Sequence, residues 1–192
     1  MKKYDVIYAD PPWNFAVWSK KGAGRSADIH YQTQSIDFLK RMNIMGLINP
    51  NSVLLMWATF PCLEQALELG KSWGFTYKTV AFTWIKTNIN NDRIFIGMGY
   101  YIRANAEIVI LFTKGKPLTR NAKDVPQVLI APRGRHSEKP NEIRKRIVRL
   151  FGDVARVELF ARQNPTTCNH ENTFEGWDVF GNEVDNSIEI PE

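Results

Sequence analysis

Six short apolar runs recur along the chain, at 4–9, 52–59, 79–87, 106–113, 127–131 and 155–161. Most are apolar in succession rather than in alternation. A strand covered on one face alternates polar and apolar positions, whereas one covered on both does not. The runs therefore predict strands of a parallel sheet clad in helices. Between them the apolar spacing becomes helical. Ser35 can cap a helix with Ile36, Leu39, Met42 and Leu47 roughly on one side. Pro61 can sit in the first turn of the next, with Leu63, Ala66, Leu67, Leu69 and Trp73 inward and Gly74 as the stop. Pro140 opens a third, Ile143, Ile147 and Leu150 form its buried stripe, and Gly152 closes it. The other face of this helix carries Arg144, Lys145, Arg146 and Arg149, and is expected to be solvated.

Strand–helix alternation implies an α/β, doubly wound, mostly parallel sheet with helices on both faces. Ligands of such sheets bind beyond the carboxyl ends of the strands. Asp10 directly follows the first run, and Thr59, Lys86 and Arg162 stand at corresponding ends of others. Long polar connections fall at 14–34, 88–105, 114–126 and 162–176, and loops of that length are commonly functional. The first is glycine-rich and basic but lacks the phosphate-binding pattern GxxxxGK[ST]. Residues 1–183 are expected to form one domain and 184–192 an acidic tail.

Composition adds modestly to this picture. The 192 residues carry a net charge of +5 with a pI near 9.2, which suits a polyanionic partner. Six Trp, six Tyr and eleven Phe are good core material that also stacks on nucleobases. Cys62 and Cys168 are far apart, and Cys168 with His170 does not complete a zinc tetrad, so no metal is expected. No apolar stretch reaches membrane-spanning length and "MKKYDV" lacks a signal-peptide core, so a soluble cytoplasmic protein is expected.

The candidate chemistry lies in "YDVIYADPPWNF", residues 4–15. Neither proline of Asp10-Pro11-Pro12-Trp13 donates an N–H, and Pro12 restricts Pro11 to extended geometry. A stiff turn of this kind offers acceptors beside an aromatic ring. A planar group bearing –NH2 fits it: two N–H bonds reach the Asp10 carboxylate and the Pro11 carbonyl, and the ring packs on Trp13. The amine of adenine is a poor nucleophile because its lone pair is delocalised. Two acceptors favour its rehybridisation and stabilise the positive charge that develops as it attacks. What remains is to position an electrophilic methyl in line.

The chain resembles the S-adenosyl-L-methionine-dependent adenine-N6 methyltransferases related to the catalytic subunit that methylates adenosine in eukaryotic messenger RNA, of which bacteria and phages carry small members. "YADPPW", "YQTQSIDFLKRMNI", "LLMWATF", "GFTYKTVAFTWIKTN", "MGYYIRANAEIVILFTKGKP" and, towards the end, "RHSEKPNEI", "VELFAR" and "GWDVFGNEV" carry the likeness in the family's order. Gln34 replaces a family methionine. The catalytic motif precedes the cofactor strand, the permuted order of β-type DNA enzymes. The resemblance implies a Rossmann-like methyltransferase fold with S-adenosyl-L-methionine as cofactor. It implies a nucleic-acid partner, DNA favoured over RNA, with RNA adenine-N6 methylation and a catalytically silent nucleic-acid-binding subunit as the alternative readings, and a monomer, homodimer or partnered subunit. It gives Asp10, Pro11, Pro12 and Trp13 the catalytic turn. Asp10, Lys139, Glu158, Phe160, Arg162, Asn182 and Glu183 would contact the cofactor: Lys139 its carboxylate, Asn182 and Glu183 its ribose. Trp13, Tyr31, Lys86, Tyr101 and Arg103 would contact the acceptor. Phe160 is equally readable as core and Trp177 reads as packing. Arg103 and Glu107 either pair with each other or serve function, and His136 reads as structural. Phosphate contacts are expected from Lys20, Lys21, Arg25 and the 88–105 connection. Longer relatives hold the cofactor adenine with a segment upstream of the catalytic motif, and only nine residues precede Asp10. The 163–176 connection is longer than the family's, with Asn164 its candidate contact.

Overall fold

A computed structural model describes residues 2–13, 34–134, 138–162 and 174–190. Tyr31, Lys20, Lys21, Arg25, His136, Asn164, Cys168 and His170 lie outside the described residues. Eight strands form one sheet: β1 Tyr4–Ala9, β2 Ile48–Ala58, β3 Thr76–Asn88, β4 Asn91–Ile94, β5 Ala106–Lys114, β6 Val128–Pro132, β7 Arg156–Leu159 and β8 Asp178–Phe180. Among the described residues three α-helices accompany them: α1 Ile36–Arg41, α2 Leu63–Ser72 and α3 Glu142–Phe151. The strand order is β4-β3-β5-β2-β1-β7-β8, with β6 also on β3.

Four strands, β2, β1, β7 and β8, pair in parallel, as does β6 with β3. β5 runs antiparallel between β2 and β3, and β4 folds back antiparallel on β3. The 106–113 run does not reveal this reversal. Its continuous apolar sequence reports cover on both faces, which β5 has, and is silent on direction.

Side chains split between the faces with the period of two that a pleated strand imposes. Ile7 and Ala9 of β1, Leu54, Met56 and Ala58 of β2, and Ile108, Ile110 and Phe112 of β5 face α1 and α2 through Leu39, Ala66, Leu69 and Trp73. Val6, Tyr8, Val53, Leu55, Trp57, Phe82 and Trp84 face α3 through Ile143 and Ile147. Helices therefore cover both faces.

Ser35 caps α1, its side chain accepting from the Phe38 N–H at 3.2 Å. The helix stops at Arg41, and a 3-10 turn, Ile44–Leu47, takes over with Asn43 capping it. The apolar stripe from Ile36 to Leu47 is thus shared by two short elements. Pro61 lies in a 3-10 turn leading into α2, and Gly74 and Gly152 follow α2 and α3 at φ of 81° and 73°. Residues expected as an acidic tail lie along β8. Ser187 donates its N–H to the Val179 carbonyl at 3.0 Å and accepts from the Val179 N–H at 2.7 Å, and Ile188 and Ile190 pack on the core. The polar reading of 184–192 overlooked these two isoleucines.

Candidate active site

Register brings the candidate residues to one edge. Ala9, the last residue of β1, pairs with Met56 of β2 and Leu159 of β7, and Leu159 pairs with Phe180 of β8. Asp10, Phe160 and Gly181 therefore leave the sheet at the same level. The Asp10 N–H donates to the Leu159 carbonyl at 3.4 Å. The Pro11 carbonyl already accepts from the Trp13 N–H at 2.8 Å, and the Pro12 carbonyl from Gln34 at 3.2 Å. Pro11 thus retains one carbonyl lone pair for a further donor. Trp13 is only 5% exposed and donates its indole N–H to the Trp57 carbonyl at 3.0 Å. The ring anchors the turn to the core.

Four charged side chains of alternating sign run along this edge. Lys139 Nζ lies 2.9 Å from Asp10 Oδ2 and 3.4 Å from Glu107 Oε2, and Lys86 Nζ lies 2.5 Å from Glu107 Oε1. The chain is Asp10–Lys139–Glu107–Lys86. Each side chain is 20% exposed or less, so the attractions are weakly screened. Lys139 also stands over the Trp57 ring and Lys86 over the Trp84 ring, at 5.4 and 4.9 Å. Burial alone would raise the Glu107 carboxyl, but Lys139 and Lys86 outweigh it and hold the group below the usual carboxylate range.

A second buried pair underlies the first. Arg144 donates through Nε and Nη2 to both oxygens of Glu158, at 2.5 and 2.6 Å, and through Nη1 to Asn141. The guanidinium lies 4.9 Å from the Phe174 ring and 5.9 Å from the Tyr8 ring. This corrects one residue of the solvated face expected for α3: Lys145 and Arg149 are exposed, but Arg144 is 7% exposed and its partner Glu158 4%. A guanidinium with an in-plane carboxylate partner can be buried where a lone one cannot. Glu158 holds Arg144 in its charged form beyond its already high ordinary value. Tyr8 accepts from the Trp57 indole at 2.5 Å, and burial pushes its hydroxyl up.

The remaining candidates divide. Arg162 and Glu183 are bridge partners beyond the ends of β7 and β8, with Asn182 adjacent. Phe160 stacks on Trp73 at 6.5 Å and holds a positive φ of 62°, a strained conformation for a non-glycine residue. Trp177 is buried against Tyr8, as packing. Lys86 joins the charged chain, whereas Tyr101 is 93% exposed and Arg103 donates to the Gly99 carbonyl at 3.5 Å. The pairing of Arg103 with Glu107 does not form. Glu107 turns inward to the two lysines. Sequence reasoning left Glu107 between a pair with Arg103 and a functional role, and missed Arg144 as part of the edge. The signals were an acid inside the apolar run 106–113 and an arginine among Ile143, Ile147, Val148 and Phe151.

The chain as a whole has relatives among known proteins. The chain is 38% identical over 207 aligned residues to the type II methyltransferase M.MunI of a Mycoplasma species, covering 99% of this chain and 82% of that protein. It is 28% identical to the N(6)-adenosine-methyltransferase catalytic subunit METTL3 of Homo sapiens and to a putative N(6)-adenosine-methyltransferase MT-A70-like protein of Medicago truncatula. Each match covers 95% of this chain but only 28% and 26% of those longer proteins. Fold, edge and relatives define a methyltransferase of Rossmann-like α/β architecture, a class that in general draws its methyl group from S-adenosyl-L-methionine. The chain belongs to the MT-A70 family, which it matches over residues 4–183. Among the described residues no helix is long and apolar enough to cross a membrane.

Proposed function

We propose that the protein transfers a methyl group from S-adenosyl-L-methionine to the exocyclic N6 amine of adenine in DNA. The observation that carries this reading is the Asp10 carboxylate, held on the stiff Pro11-Pro12 turn at the carboxyl edge with Lys139 at 2.9 Å. Its donor set fits the cofactor. The Lys139 ammonium complements an amino-acid carboxylate, Asp10 complements an ammonium, and Asn182 and Glu183, beside Arg162, suit a ribose diol. Phe160 supplies an apolar wall, while Glu158, with both oxygens on Arg144, supports the strand end. When bound, the cofactor supplies an electrophilic methyl on a sulfonium.

The chain's own task is to hold and polarise the amine. Lys139 occupies Oδ2 of Asp10, which leaves Oδ1 to accept one amine N–H. The second lone pair of the Pro11 carbonyl accepts the other. Two acceptors draw the nitrogen towards tetrahedral geometry, localise its lone pair and stabilise the positive charge it gains on methylation. Glu107 draws Lys139 to the edge beside Asp10, and Lys86 shares the same carboxylate.

DNA is favoured over RNA because similarity to the type II methyltransferase is higher and spans most of both chains. The test is transfer of labelled methyl to matched random-sequence DNA and RNA, with the product nucleoside identified by mass spectrometry. N6-methyladenine in DNA is the expected result. Methylation of RNA alone would overturn the choice of acceptor. Another methylated nucleoside, or S-adenosyl-L-methionine binding undetected by calorimetry, would overturn the chemistry.

A further inference from the structure

The connection 88–105 does not match the polar loop that its length suggests. It contains β4 and then a narrow finger, 95–104, that rises from the carboxyl edge and returns to β5 beside Glu107. Backbone bonds pin its base: the Phe95 N–H donates to the Lys86 carbonyl at 2.8 Å, and the Lys86 N–H to the Asn105 carbonyl at 2.9 Å. Farther out, Gly97 donates to Ala104 at 3.0 Å and Ala104 to Met98 at 3.3 Å. The finger is thin because it is built on glycine. A Cβ on Gly97 would stand 2.1 Å from the Ala104 carbonyl oxygen, and one on Gly99 1.9 Å from that of Ile102. The Arg133 guanidinium braces Phe95 at 4.4 Å.

The surface of this finger is apolar where water meets it. Ile96 is 72% exposed, Met98 46%, Tyr101 93% and Ile102 82%. A contiguous apolar tip of this size marks a contact site. Arg93 and Arg103 flank it, and neither has a carboxylate within ion-pair distance among the described residues. An apolar point between cations suits a polyanion with an apolar interior, which is a nucleic-acid duplex.

We propose that this finger is a wedge that enters the DNA duplex and fills the gap left by the target adenine. The inference rests on the proposed reaction. An amine held by Asp10 and Pro11 cannot remain paired in the stack, and extruding a base costs roughly a few kcal/mol. Apolar side chains inserted between base steps stabilise such openings. Tyr101 and Ile102 supply the inserted surface, and Arg93 and Arg103 bind the phosphates on either side. The finger stands on the same sheet edge as Asp10. Its base is tied to the site through Lys86, Glu107 and Lys139.

The test compares methylation of random-sequence duplex with methylation of the same DNA as single strands, where no stack needs opening. In full-length protein carrying Tyr101→Ala with Ile102→Ser, the ratio of duplex to single-strand rate should fall at least tenfold. Tyr101→Phe with Ile102→Leu should keep the ratio within twofold of wild type. Equal loss on both substrates would overturn the wedge, as would an unchanged ratio. A wild-type dimer in sedimentation that the polar double variant dissolves, with the ratio unchanged, would make the finger a self-docking face instead. No transfer by the wild-type protein to any DNA would instead refute the underlying reaction.

Discussion

One edge of the sheet carries two regions that treat polarity in opposite ways. Around Asp10 and α3 the protein buries charge: Asp10, Lys139, Glu107 and Lys86 alternate in sign, and Arg144 with Glu158 lies beneath them. On the 95–104 finger it exposes apolar surface, with Tyr101 and Ile102 almost fully in water. Folding alone favours neither arrangement. Buried ions lose hydration that only good geometry returns, and apolar tips gain nothing until something covers them. The first region fixes a carboxylate and an ammonium before any ligand arrives. The second withholds its hydrophobic contact until a partner is bound. Stability experiments should therefore be sensitive in one region and silent in the other.

The largest effect should come from Glu158→Ala, which leaves Arg144 buried without its partner. It should destabilise the fold by about 3–5 kcal/mol, read from the urea midpoint, whereas Arg144→Met with Glu158→Leu should recover most of that loss. A small effect of Glu158→Ala would mean that the pair is solvated.

Next is Glu107→Gln, expected to lower stability by about 1–3 kcal/mol at neutral pH because Lys86 loses its counterion and Lys139 keeps only Asp10. The sign of its pH dependence follows from the lysines holding this carboxyl low in the folded state. Its contribution is fully present above the ordinary glutamate value of about 4.3 and disappears as pH falls through the lower folded one. The gap in melting temperature between wild type and variant should therefore close on acidification below about pH 4.

Smaller still, Tyr101→Ala should change stability by less than about 0.5 kcal/mol, because the ring it meets, that of Tyr100 at 4.8 Å, is itself exposed. A larger loss in thermal unfolding would place the finger within the folded core's cooperative unit. Smallest of all, Lys40→Ala removes an ion pair with Glu68, whose side chain is 56% exposed, and should alter stability by about 0–0.5 kcal/mol.

The contrast also explains what the sequence made legible. β1 was expected at 4–9 and spans Tyr4–Ala9, because two prolines end an apolar run abruptly. The carboxyl edge followed, and with it the placement of Asp10, Lys86 and Arg162. Direction within the sheet was hidden for β5, since cover on both faces looks alike in either orientation. β8, Asp178–Phe180, is too short for periodicity to register. Arg144 was misplaced, and the alternative pairing of Glu107 with Arg103 failed, for a shared reason. A charged residue reads as exposed until its partner, distant in sequence, is brought to it by the fold. The finger was misread in the opposite sense. Its isoleucines and tyrosines are interrupted by glycine and arginine, so they form neither a strand pattern nor a helical one.

The most direct test of the account is Asp10→Asn in methyl transfer to DNA at saturating S-adenosyl-L-methionine. The account predicts a fall in kcat of about a hundredfold or more, the scale seen when one preorganised transition-state contact is removed, with the fold intact. A variant that keeps wild-type kcat would contradict the central claim that this carboxylate holds the reacting amine.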